Sequence, residues 1–375
     1  MKWLFVGDAS NMHNTLAAGL RSRGHDCVVV SDGSRWMDTA RDVDLTRGKG
    51  VSGTVGYVAR LLWHMRSWRG YDVVVLCGHH FLSLKPARLR PVLDTLKRNN
   101  RLVVLSALGT DIVYYRACHD GVTFRYSDYR LGDKPSPYVG SNEYHAQHQE
   151  NWQLPSMVRY GEHLLDTIDG AVTALYEYHA AYEAQAPDIP LAYAGIPIET
   201  SHYTPHTAYN GGLVRFFIGV QRDRTVVKGT DRLLEAARRV VSRRPREAEL
   251  IVAENVPFER YVSMMSDCHV LLDQIYSYTP ATNALLAMSL GLVAVTGGEP
   301  EYYDFIGERE LRPIVNVDPT VPDDIDRRLE WIVDHRDELT SMGDCARHFV
   351  VRHNDVSVVV ERWLNFINNL CERNR

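Results

Sequence analysis

Residues 273–303, DQIYSYTPATNALLAMSLGLVAVTGGEPEYY, contain the most informative pattern of strand, loop and helix in the chain. The apolar run 270–272 in front of them predicts the end of a buried strand, and TPATN at 279–283 predicts a polar loop that opens a helix. Gly291 ends that helix, and LVAV at 292–295 predicts a second strand before a glycine-rich loop. The two loops of such an α/β unit lie at one edge of a parallel sheet. Ligands bind at that edge, outside the carboxyl ends of the strands, so the stretch predicts half of a ligand site.

The composition predicts a soluble protein of two domains. A chain of 375 residues is longer than one ordinary core supports, and 45% hydrophobic with 24% charged residues is typical of globular proteins. The net charge of -5 gives no electrostatic drive toward nucleic acid. Six cysteines without a CxxC pair indicate reduced thiols in the cytoplasm rather than a disulfide framework or a zinc site.

No targeting or membrane-spanning segment is predicted. The apolar part of the N-terminal MKWLFVGDAS is too short for a signal peptide, and no apolar run is long enough to span a bilayer. We therefore expect a cytoplasmic protein, for which peripheral contact with a membrane surface stays compatible.

The first half opens with a predicted strand, a loop at 8–13, a helix and a second strand. This βαβ opening lacks the GxGxxG fingerprint, which argues against a nicotinamide-dependent dehydrogenase. We expect residues 33–56, which are polar and contain glycine, to form a mobile loop. A strand at 72–77 runs into His79 and His80, which are either site residues or ordinary loop histidines, one of them capping a backbone group.

Two further features of the first half leave alternatives open. Gly109-Thr110-Asp111 follows the strand 102–105 and suits either sugar hydroxyls or the N-cap of the next helix. Residues 117–155 are rich in Tyr, His, Asn and Asp. They predict either a carbohydrate-binding face, because rings stack on sugars and amides pair with hydroxyls, or a lid held by ordinary surface aromatics.

The second half begins after a polar hinge at 199–212 with a strand at 214–219. Arg222, Arg224 and Lys228 lie in the loop that opens a helix near Thr230. Cations at a helix N-terminus make an anion site that suits a diphosphate, although Arg222 and Arg224 are equally explained as solvated loop charges. Lys228 is the stronger candidate because the neighbouring Gly229 allows close approach of the backbone.

These motifs resemble the GT-B glycosyltransferases, in particular the retaining enzymes of family 4. Gly219 with Arg222 or Arg224 and Lys228-Gly229 resembles the family's diphosphate-binding residues, and LLAMSLGLVAV resembles its EAMAxGxPVV segment. YAGIP at 193–197 resembles YxGID, and the GTD sequence at 109–111 is similar to its G-S/T-D loop.

The resemblance implies an α/β protein of two Rossmann-like domains that face each other across a cleft. It places an acceptor-binding domain at 1–203, a nucleotide-sugar-binding domain at 204–350 and a C-terminal helix at 351–375 that packs back toward the first domain.

The chain departs from the family at two positions of the opening stretch. Family members commonly carry a Glu pair there, and this chain has Tyr278 and Leu286 instead. Substitutes for those carboxylates are offered by nearby polar residues: Thr279, Thr282, Asn283, Glu299 and Glu301. Simple N-capping by Thr282 or Asn283 is the alternative for those two.

The resemblance implies a hexosyltransferase-type enzyme (EC 2.4) that moves a sugar from a UDP- or GDP-linked donor to a saccharide or lipid-linked acceptor, with retention. Such an enzyme acts in polysaccharide or glycoconjugate synthesis. We expect no cofactor and no metal, because no DxD motif lies in a suitable loop. The expected site residues are, for catalysis, His79, His80 and Asp111; for the donor, Arg222, Arg224, Lys228, Gly229, Glu254, Thr279, Thr282, Asn283, Glu299 and Glu301; and for the acceptor, Ser10, Asn11, His13 and Thr110.

Two other hypotheses stay open. A non-catalytic GT-B relative would bind a saccharide or a protein partner, and the missing Glu pair motivates it. A nucleotide-sugar epimerase that acts by elimination would need acid/base carboxylates facing the donor sugar, so the same loss counts against it.

Overall fold

The computed structural model describes residues 1–34, 37–141, 143–205 and 209–373, and its two large sheets contain parallel strands. The strands are β1 Lys2–Val6, β2 Asp26–Ser31, β3 Val43–Asp44, β4 Val73–Cys77, β5 Leu102–Ala107, β6 Arg130–Leu131, β7 Lys134–Pro135, β8 Gly170–Thr173, β9 Leu191–Tyr193, β10 Val214–Val220, β11 Ala248–Glu254, β12 Val270–Leu272, β13 Val293–Thr296 and β14 Val315–Asn316. The helices are α1 Met12–Ser22, α2 Gly50–Met65, α3 Pro86–Asn99, α4 Ile112–His119, α5 Glu143–Gln153, α6 Pro155–Thr167, α7 Tyr176–Gln185, α8 Thr225–Lys228, α9 Thr230–Arg243, α10 Phe258–Ser266, α11 Thr282–Ser289, α12 Pro300–Phe305, α13 Asp324–Asp334, α14 Leu339–Asn354 and α15 Val356–Arg373.

The chain divides into two units. The first consists of Met1–Ala117, Gln147–Pro197 and Val356–Arg375, and the second of Cys118–Ala146 and Ile198–Asp355. The sequence-based domain limits differ from this division in three ways. They place residues 118–146 and residues 198–203 in the first domain, and they begin the C-terminal helix at 351, inside α14.

The first unit contains a seven-stranded sheet in the order β3-β2-β1-β4-β5-β8-β9. Its central strands are apolar on both faces, as the fully buried neighbours Leu4 and Phe5 in β1 illustrate, because helices cover both sides of a parallel sheet. Val359 and Trp363 of α15 belong to the same core cluster. The C-terminal helix thus packs on the first unit, which confirms that part of the predicted fold.

The second unit contains a five-stranded parallel sheet in the order β11-β10-β12-β13-β14. Phe216 in β10 and Val270 in β12 are fully buried in a core that Leu233 of α9 and Leu329 of α13 complete. The predicted unit of strand, helix and strand at 270–295 is present as β12, α11 and β13. The expected α/β fold is therefore confirmed in both halves.

Three predicted loops contain regular structure. The expected mobile loop 33–56 holds β3 and the beginning of α2, while its residues 35 and 36 lie outside the described residues. In the hinge 199–212, Thr200–His202 form a 3-10 turn, and residues 206–208 again lie outside the described part. The loop that carries the predicted cations is a 3-10 turn, Arg222–Arg224, followed by α8.

No helix within the described residues combines the length and the apolar character needed to cross a bilayer.

Candidate functional site

Each large sheet has one point at which the strand order reverses. In the first sheet β2 and β4 lie on opposite sides of β1, and in the second sheet β11 and β12 lie on opposite sides of β10. Ligands of open α/β sheets bind outside the carboxyl ends of the strands at such switch points. The loops that follow β1 and β4 in one unit, and β10 and β12 in the other, are therefore the candidate site regions.

The loop after β1 is held by the carboxylate of Asp8. It accepts hydrogen bonds from the backbone N–H of His13 (2.8 Å), from Ser34 Oγ (2.9 Å) and from Thr39 Oγ1 (3.2 Å). Between these anchors Ser10 and Asn11 adopt left-handed backbone angles, with φ of 52° and 64°. Such conformations are uncommon outside glycine, and the binding role of this loop stays a prediction.

His13 is fixed as a hydrogen-bond acceptor. Its Nδ1 lies 2.8 Å from the carbonyl oxygen of Gly7, and because a carbonyl only accepts, Nδ1 must carry the proton. Burial lowers the pKa of His13 against the opposing charge of Asp8, so the ring stays neutral. Its Nε2 has no partner among the described residues. His13 lines a cavity of about 10 Å³ together with Ser106 and Thr173. That volume suits about one water molecule or a ligand hydroxyl.

His79 is enclosed by aromatic rings. The side chain is 2% exposed, and the rings of Tyr160 and Trp152 lie 4.7 and 5.3 Å from it. Neither ring nitrogen has a partner in the described part of the chain. Burial, with the charge of His80, lowers the pKa of His79 to about 3, so it is neutral at pH 7 and shielded from solvent. His80 is exposed, and a catalytic role for either histidine stays a prediction.

Asp111 is engaged as a helix cap. Its Oδ1 accepts the N–H of Tyr114 at 2.7 Å, and its Oδ2 accepts the hydroxyl of Tyr182 at 2.6 Å. Burial raises the pKa of Asp111 against these hydrogen bonds. The contacts match the capping interpretation, and the catalytic assignment of Asp111 stays a prediction that this geometry does not favour. Thr110, beside it, is half-buried.

The predicted phosphate-binding cations lie beside the carboxyl end of β10. Arg222 pairs with Glu254 at the end of β11, and Lys228 Nζ lies 3.5 Å from Asp273 Oδ1. Arg224 is exposed. The structure thus brings Lys228 next to the residue that follows β12, and it holds Arg222 and Glu254 together as a pair.

Gly229 sets the direction of the chain at Lys228. It ends α8 and precedes α9 with φ of 70°, a backbone angle that a side chain would strain. A Cβ at this position would lie 2.4 Å from Ile275 Cγ1, so the backbone approaches the loop after β12 more closely than any other residue allows.

The N-terminus of α11 lacks a side-chain cap. Its N-cap residue is Ala281, and the described contacts include no capping hydrogen bond. Thr282 is the first helical residue, while Asn283 donates to Asp273 Oδ1 (3.2 Å) and accepts from the Tyr261 hydroxyl (3.0 Å). The N-cap position thus belongs to Ala281 and not to Thr282 or Asn283. A helix N-terminus of this kind is a general binding place for an anion.

Asp273 is a buried acceptor in the same place. Its side chain is 3% exposed, and its Oδ2 has no hydrogen-bond partner within the described ranges. A buried carboxylate oxygen without a donor is costly, so an approaching hydroxyl or N–H group would be favoured here.

Glu299 and Glu301 are both bound to Arg125 of the segment 118–146. Arg125 Nη2 lies 2.7 Å from Glu299, and its Nε lies 2.7 Å from Glu301. Glu299, with a side chain 4% exposed, also accepts from the Tyr126 hydroxyl (2.5 Å) and from Asn316 Nδ2 (2.8 Å). Burial raises the pKa of Glu301, but the hydrogen bond and charge of Arg125 outweigh it and lower the pKa overall.

Tyr278 anchors the same segment. Its hydroxyl accepts the backbone N–H groups of Arg125 (2.8 Å) and Tyr126 (3.3 Å), and its ring stacks on that of Tyr126 at 4.8 Å. Burial raises the pKa of Tyr278 to about 12. The hydroxyl of Tyr278, which stands at one of the two family Glu positions, is therefore engaged with the segment 118–146. Leu286 is buried and offers no polar contact. Thr279 is also buried.

Sequence reasoning missed the roles of Arg125, Tyr126 and Asp273. The aromatic composition of 117–155 signals a special segment, but nothing local indicates its partners in the second unit. Asp273 directly follows a predicted strand, and this position alone was a usable signal.

The groups suited to a bound ligand here are those of an anion site: Lys228, Arg222, Arg224 and the N–H groups of α11. Within the described residues no group of three His, Cys, Asp or Glu side chains is arranged to hold a metal ion. Metal-free chemistry stays a prediction.

Comparisons with known proteins identify the fold. Sucrose-phosphate synthase from Thermosynechococcus elongatus matches over 100% of both chains with a TM-score of 0.63 and 10% identity. Anabaena HepE, solved with UDP and glucose, matches over 98% of this chain and 99% of its own, with a TM-score of 0.57 and 10% identity. A Listeria monocytogenes protein described as a UDP-N-acetylglucosamine 2-epimerase matches over 97% and 94%, with a TM-score of 0.55 and 11% identity. No family profile and no curated protein sequence matches the chain.

These similarities confirm the predicted GT-B fold over the whole chain. At such low sequence identity the similarities establish the fold only, and the reaction has to be argued from the site residues.

Proposed function

We propose that this protein is a glycosyltransferase that moves a sugar from a nucleotide-sugar donor to a saccharide or lipid-linked acceptor, with retention. The GT-B fold supports the proposal, because sucrose-phosphate synthase and the UDP- and glucose-bound HepE share it. A role in polysaccharide or glycoconjugate synthesis follows from the same likeness.

The observation that carries the proposal is the anion site of the second unit. Lys228, the nearby arginines and the N-terminus of α11 lie at the switch point of the second sheet. A diphosphate bound there would be held by Lys228 with Arg222 or Arg224. The same cations would stabilise the charge that develops on the leaving diphosphate.

Asp273 and Asn283 would orient the donor beside that diphosphate. Asp273 Oδ2 is a buried acceptor without a donor in the described chain, so it suits a hydroxyl of the donor ribose or sugar. This would replace one of the carboxylates that Tyr278 and Leu286 cannot supply. Thr279, Thr282, Gly229 and Glu254 complete the proposed donor region.

The acceptor half of the proposal rests on the loop after β1. Ser10 and Asn11 adopt left-handed backbone angles, and His13, whose Nε2 is an acceptor without a described partner, lines a small cavity. These groups, with Thr110, would bind acceptor hydroxyls. Because the acceptor class includes lipid-linked saccharides, peripheral membrane contact is part of the proposal.

Nucleotide binding is the direct test. Thermal unfolding should be measured with UDP, GDP and their sugar conjugates, because a ligand at about a hundred times its Kd adds about 2.7 kcal/mol of stability. We expect a shift with one nucleoside diphosphate and none with the Lys228→Ala variant. Arg246→Ala is the matched control, since Arg246 is an exposed cation before β11, at the opposite end of the strands. An unchanged shift in Lys228→Ala, or no shift with any nucleotide, would refute the donor site.

A second candidate, a non-catalytic saccharide-binding relative, is favoured by one observation. Arg125 already donates hydrogen bonds to the carboxylates of Glu299 and Glu301, and the Tyr126 hydroxyl donates to Glu299. This candidate predicts that calorimetry detects glycan binding but no binding of UDP or GDP. An epimerase shares the fold but needs free acid/base carboxylates, which the same contacts disfavour; release of a free 2-epimeric sugar would identify it.

A further inference from the structure

Helix α2 of the first unit presents an apolar face to solvent. Val51 is 82% exposed, Val55 63%, Leu62 58% and Trp63 68%, whereas Tyr57 and Leu61 on the opposite side are buried. Val51, Val55, Ala59 and Leu62 recur at intervals of four, four and three residues, so they form one stripe along the helix. A helix on the surface of a water-soluble protein normally turns polar and charged residues outward, whereas α2 exposes these apolar side chains and a single charged residue, Arg60.

Exposed large hydrophobic side chains are concentrated on α2. Eleven large hydrophobic side chains are exposed among the described residues, and four of them lie within 13 positions on this helix. The others, such as Val122 and Trp331, lie on separate segments. Single exposed hydrophobic residues need no explanation, but a continuous patch marks an interaction surface.

The flanks of the stripe are strongly basic. Residues 45–71 contain Arg47, Lys49, Arg60, Arg66 and Arg69 and no Asp or Glu, although the whole chain carries a net charge of -5. All five cations are exposed.

The described contacts of these cations are with neutral groups. Arg47 donates to Thr54 Oγ1 (2.9 Å), Arg60 to the carbonyl of Thr46 (2.5 Å) and Arg69 to the carbonyl of Arg66 (2.8 Å). The Arg66 guanidinium lies 5.4 Å from the centre of the Trp63 ring. None of these described contacts is with a carboxylate, although Arg47 also lines a cavity with Asp32 and Asp38.

We propose that α2 docks this protein on the surface of a membrane that contains anionic lipids. The helix lies in the plane of the interface, with Val51, Val55 and Leu62 among the acyl chains and Trp63 at the headgroup level, where indole rings are enriched. The cations bind lipid phosphates while their alkyl stems lie along apolar surface. An anionic lipid bilayer fits this surface because acyl chains match the apolar stripe and anionic headgroups match its basic flanks.

Charge argues against a second copy of the chain as the occupant. A symmetric contact through α2 would bring two identical basic surfaces together, which like-charge repulsion disfavours. The inference deepens the acceptor half of the proposed function, since a lipid-linked acceptor would be presented at this surface. Vesicle binding and nucleotide binding are measured separately, so one can fail while the other holds.

Cosedimentation of the full chain with vesicles tests the proposal. Vesicles of phosphatidylcholine alone are compared with vesicles of phosphatidylcholine mixed with phosphatidylglycerol. We expect binding to the anionic vesicles that weakens with added salt, and little binding to the neutral ones. The double substitution Leu62→Ser/Trp63→Ser should weaken binding on the order of tenfold, and Arg66→Gln about fivefold.

Val122→Ser/Val351→Ser is the matched control, because it removes two exposed valines from other parts of the surface. It should bind as the unaltered chain does. Circular dichroism and light scattering confirm that each variant is folded and report its oligomeric state. The proposal is overturned if the chain does not bind anionic vesicles, if the double variant binds undiminished, or if that variant alters self-association instead.

Discussion

At the scale of single residues, Arg125 shows how one side chain fixes the position of a segment. It bridges Glu299 and Glu301, and its guanidinium lies over the rings of Tyr126 and Tyr278 at 5.5 and 5.6 Å. Glu299 is almost fully buried, so loss of its cation would leave a desolvated carboxylate with fewer donors. Removing one partner of a buried charge pair costs more than the pair itself contributes.

We therefore predict that Arg125→Ala destabilises the protein by about 2 kcal/mol, a value reduced by the half-exposure of Arg125. Arg312→Ala is the control. Arg312 also lies over a tyrosine ring, at 5.1 Å, but its carboxylate partner Asp304 is 77% exposed. Such a surface pair is worth under about 1 kcal/mol. Urea unfolding of both variants measures the difference, and equal losses would contradict a special role for Arg125.

Glu308 is a second residue whose surroundings lead to a testable prediction, because they lower its pKa. Its side chain is 3% exposed and lies 2.7 Å from His353 Nε2 and 3.0 Å from Arg352 Nη1. Burial raises its pKa, but hydrogen bonds from the Leu311 N–H, His353, the Glu310 N–H and Arg352 prevail and lower the pKa to about 2.

Acid should therefore weaken the fold through Glu308. Because the pKa falls from 4.5 in the free side chain to about 2 in the folded protein, the unfolded state binds the proton first as the pH falls. The stabilisation is complete above about pH 4.5 and is lost as the pH approaches 2. Allowing for solvent screening at the half-exposed Arg352, it amounts to about 2 kcal/mol.

Urea unfolding across this pH range compares Glu308→Gln with the unaltered chain. The variant should be less stable at pH 7, and the difference should shrink as the pH falls. Glu310→Gln is the control, because Glu310 is 80% exposed and lies 3.5 Å from the same arginine. A difference that persists unchanged at low pH would contradict this assignment.

At the scale of elements, the junction of α8 and α9 depends on Gly229. We predict that Gly229→Ala costs at least about 2 kcal/mol, because backbone strain at φ of 70° adds to a clash with Ile275. It should also weaken nucleotide binding, since Lys228 is the preceding residue. Gly307→Ala is the control: its φ is 68°, but no described atom lies within 4 Å of the added Cβ. Denaturation of both variants gives the result, and equal costs would count against the close approach.

The elements that sequence predicted best are those whose signal is local. The start of α9 at Thr230 agrees with the predicted start, because the apolar spacing of Leu233, Ala237 and Val240 is visible within one helix. Helix α8 was missed because four residues are too few to show a period. The same limit applies to β3, which has two residues.

The candidate site was less predictable than the elements. Chain order places Lys228 at a helix mouth, but no sequence pattern reveals that it lies beside Asp273, 45 positions away. The binding of Glu299 and Glu301 to Arg125 joins residues 174 and 176 positions apart. Contacts of this kind arise from tertiary packing alone. The sequence therefore could not show that the two carboxylates predicted to bind the donor are already bound to Arg125.

At the scale of the whole molecule, the second unit depends on a segment from the first half of the chain. We predict that a fragment 198–355 is destabilised, because Tyr278 and Glu299 lose Arg125 and Tyr126. A peptide 118–141 added in trans should raise its melting temperature by mass action. The same peptide with Arg125→Ala should raise it less. Identical melting with and without the peptide would show that the segment contributes nothing to the second unit.

This division of the chain has a consequence for biosynthesis. Arg125 emerges from the ribosome 153 residues before Tyr278, which corresponds to roughly 8–30 s of translation. The core of the first unit is completed later still, because it includes Val359 and Trp363 of α15. The first unit therefore cannot complete its core before residues 356–373 are made, and the second unit needs both segment 118–146 and residues up to 355. Until Tyr278 and Glu299 have been made, the aromatic segment 118–146 stays exposed in the nascent chain. We therefore expect chaperones to bind it.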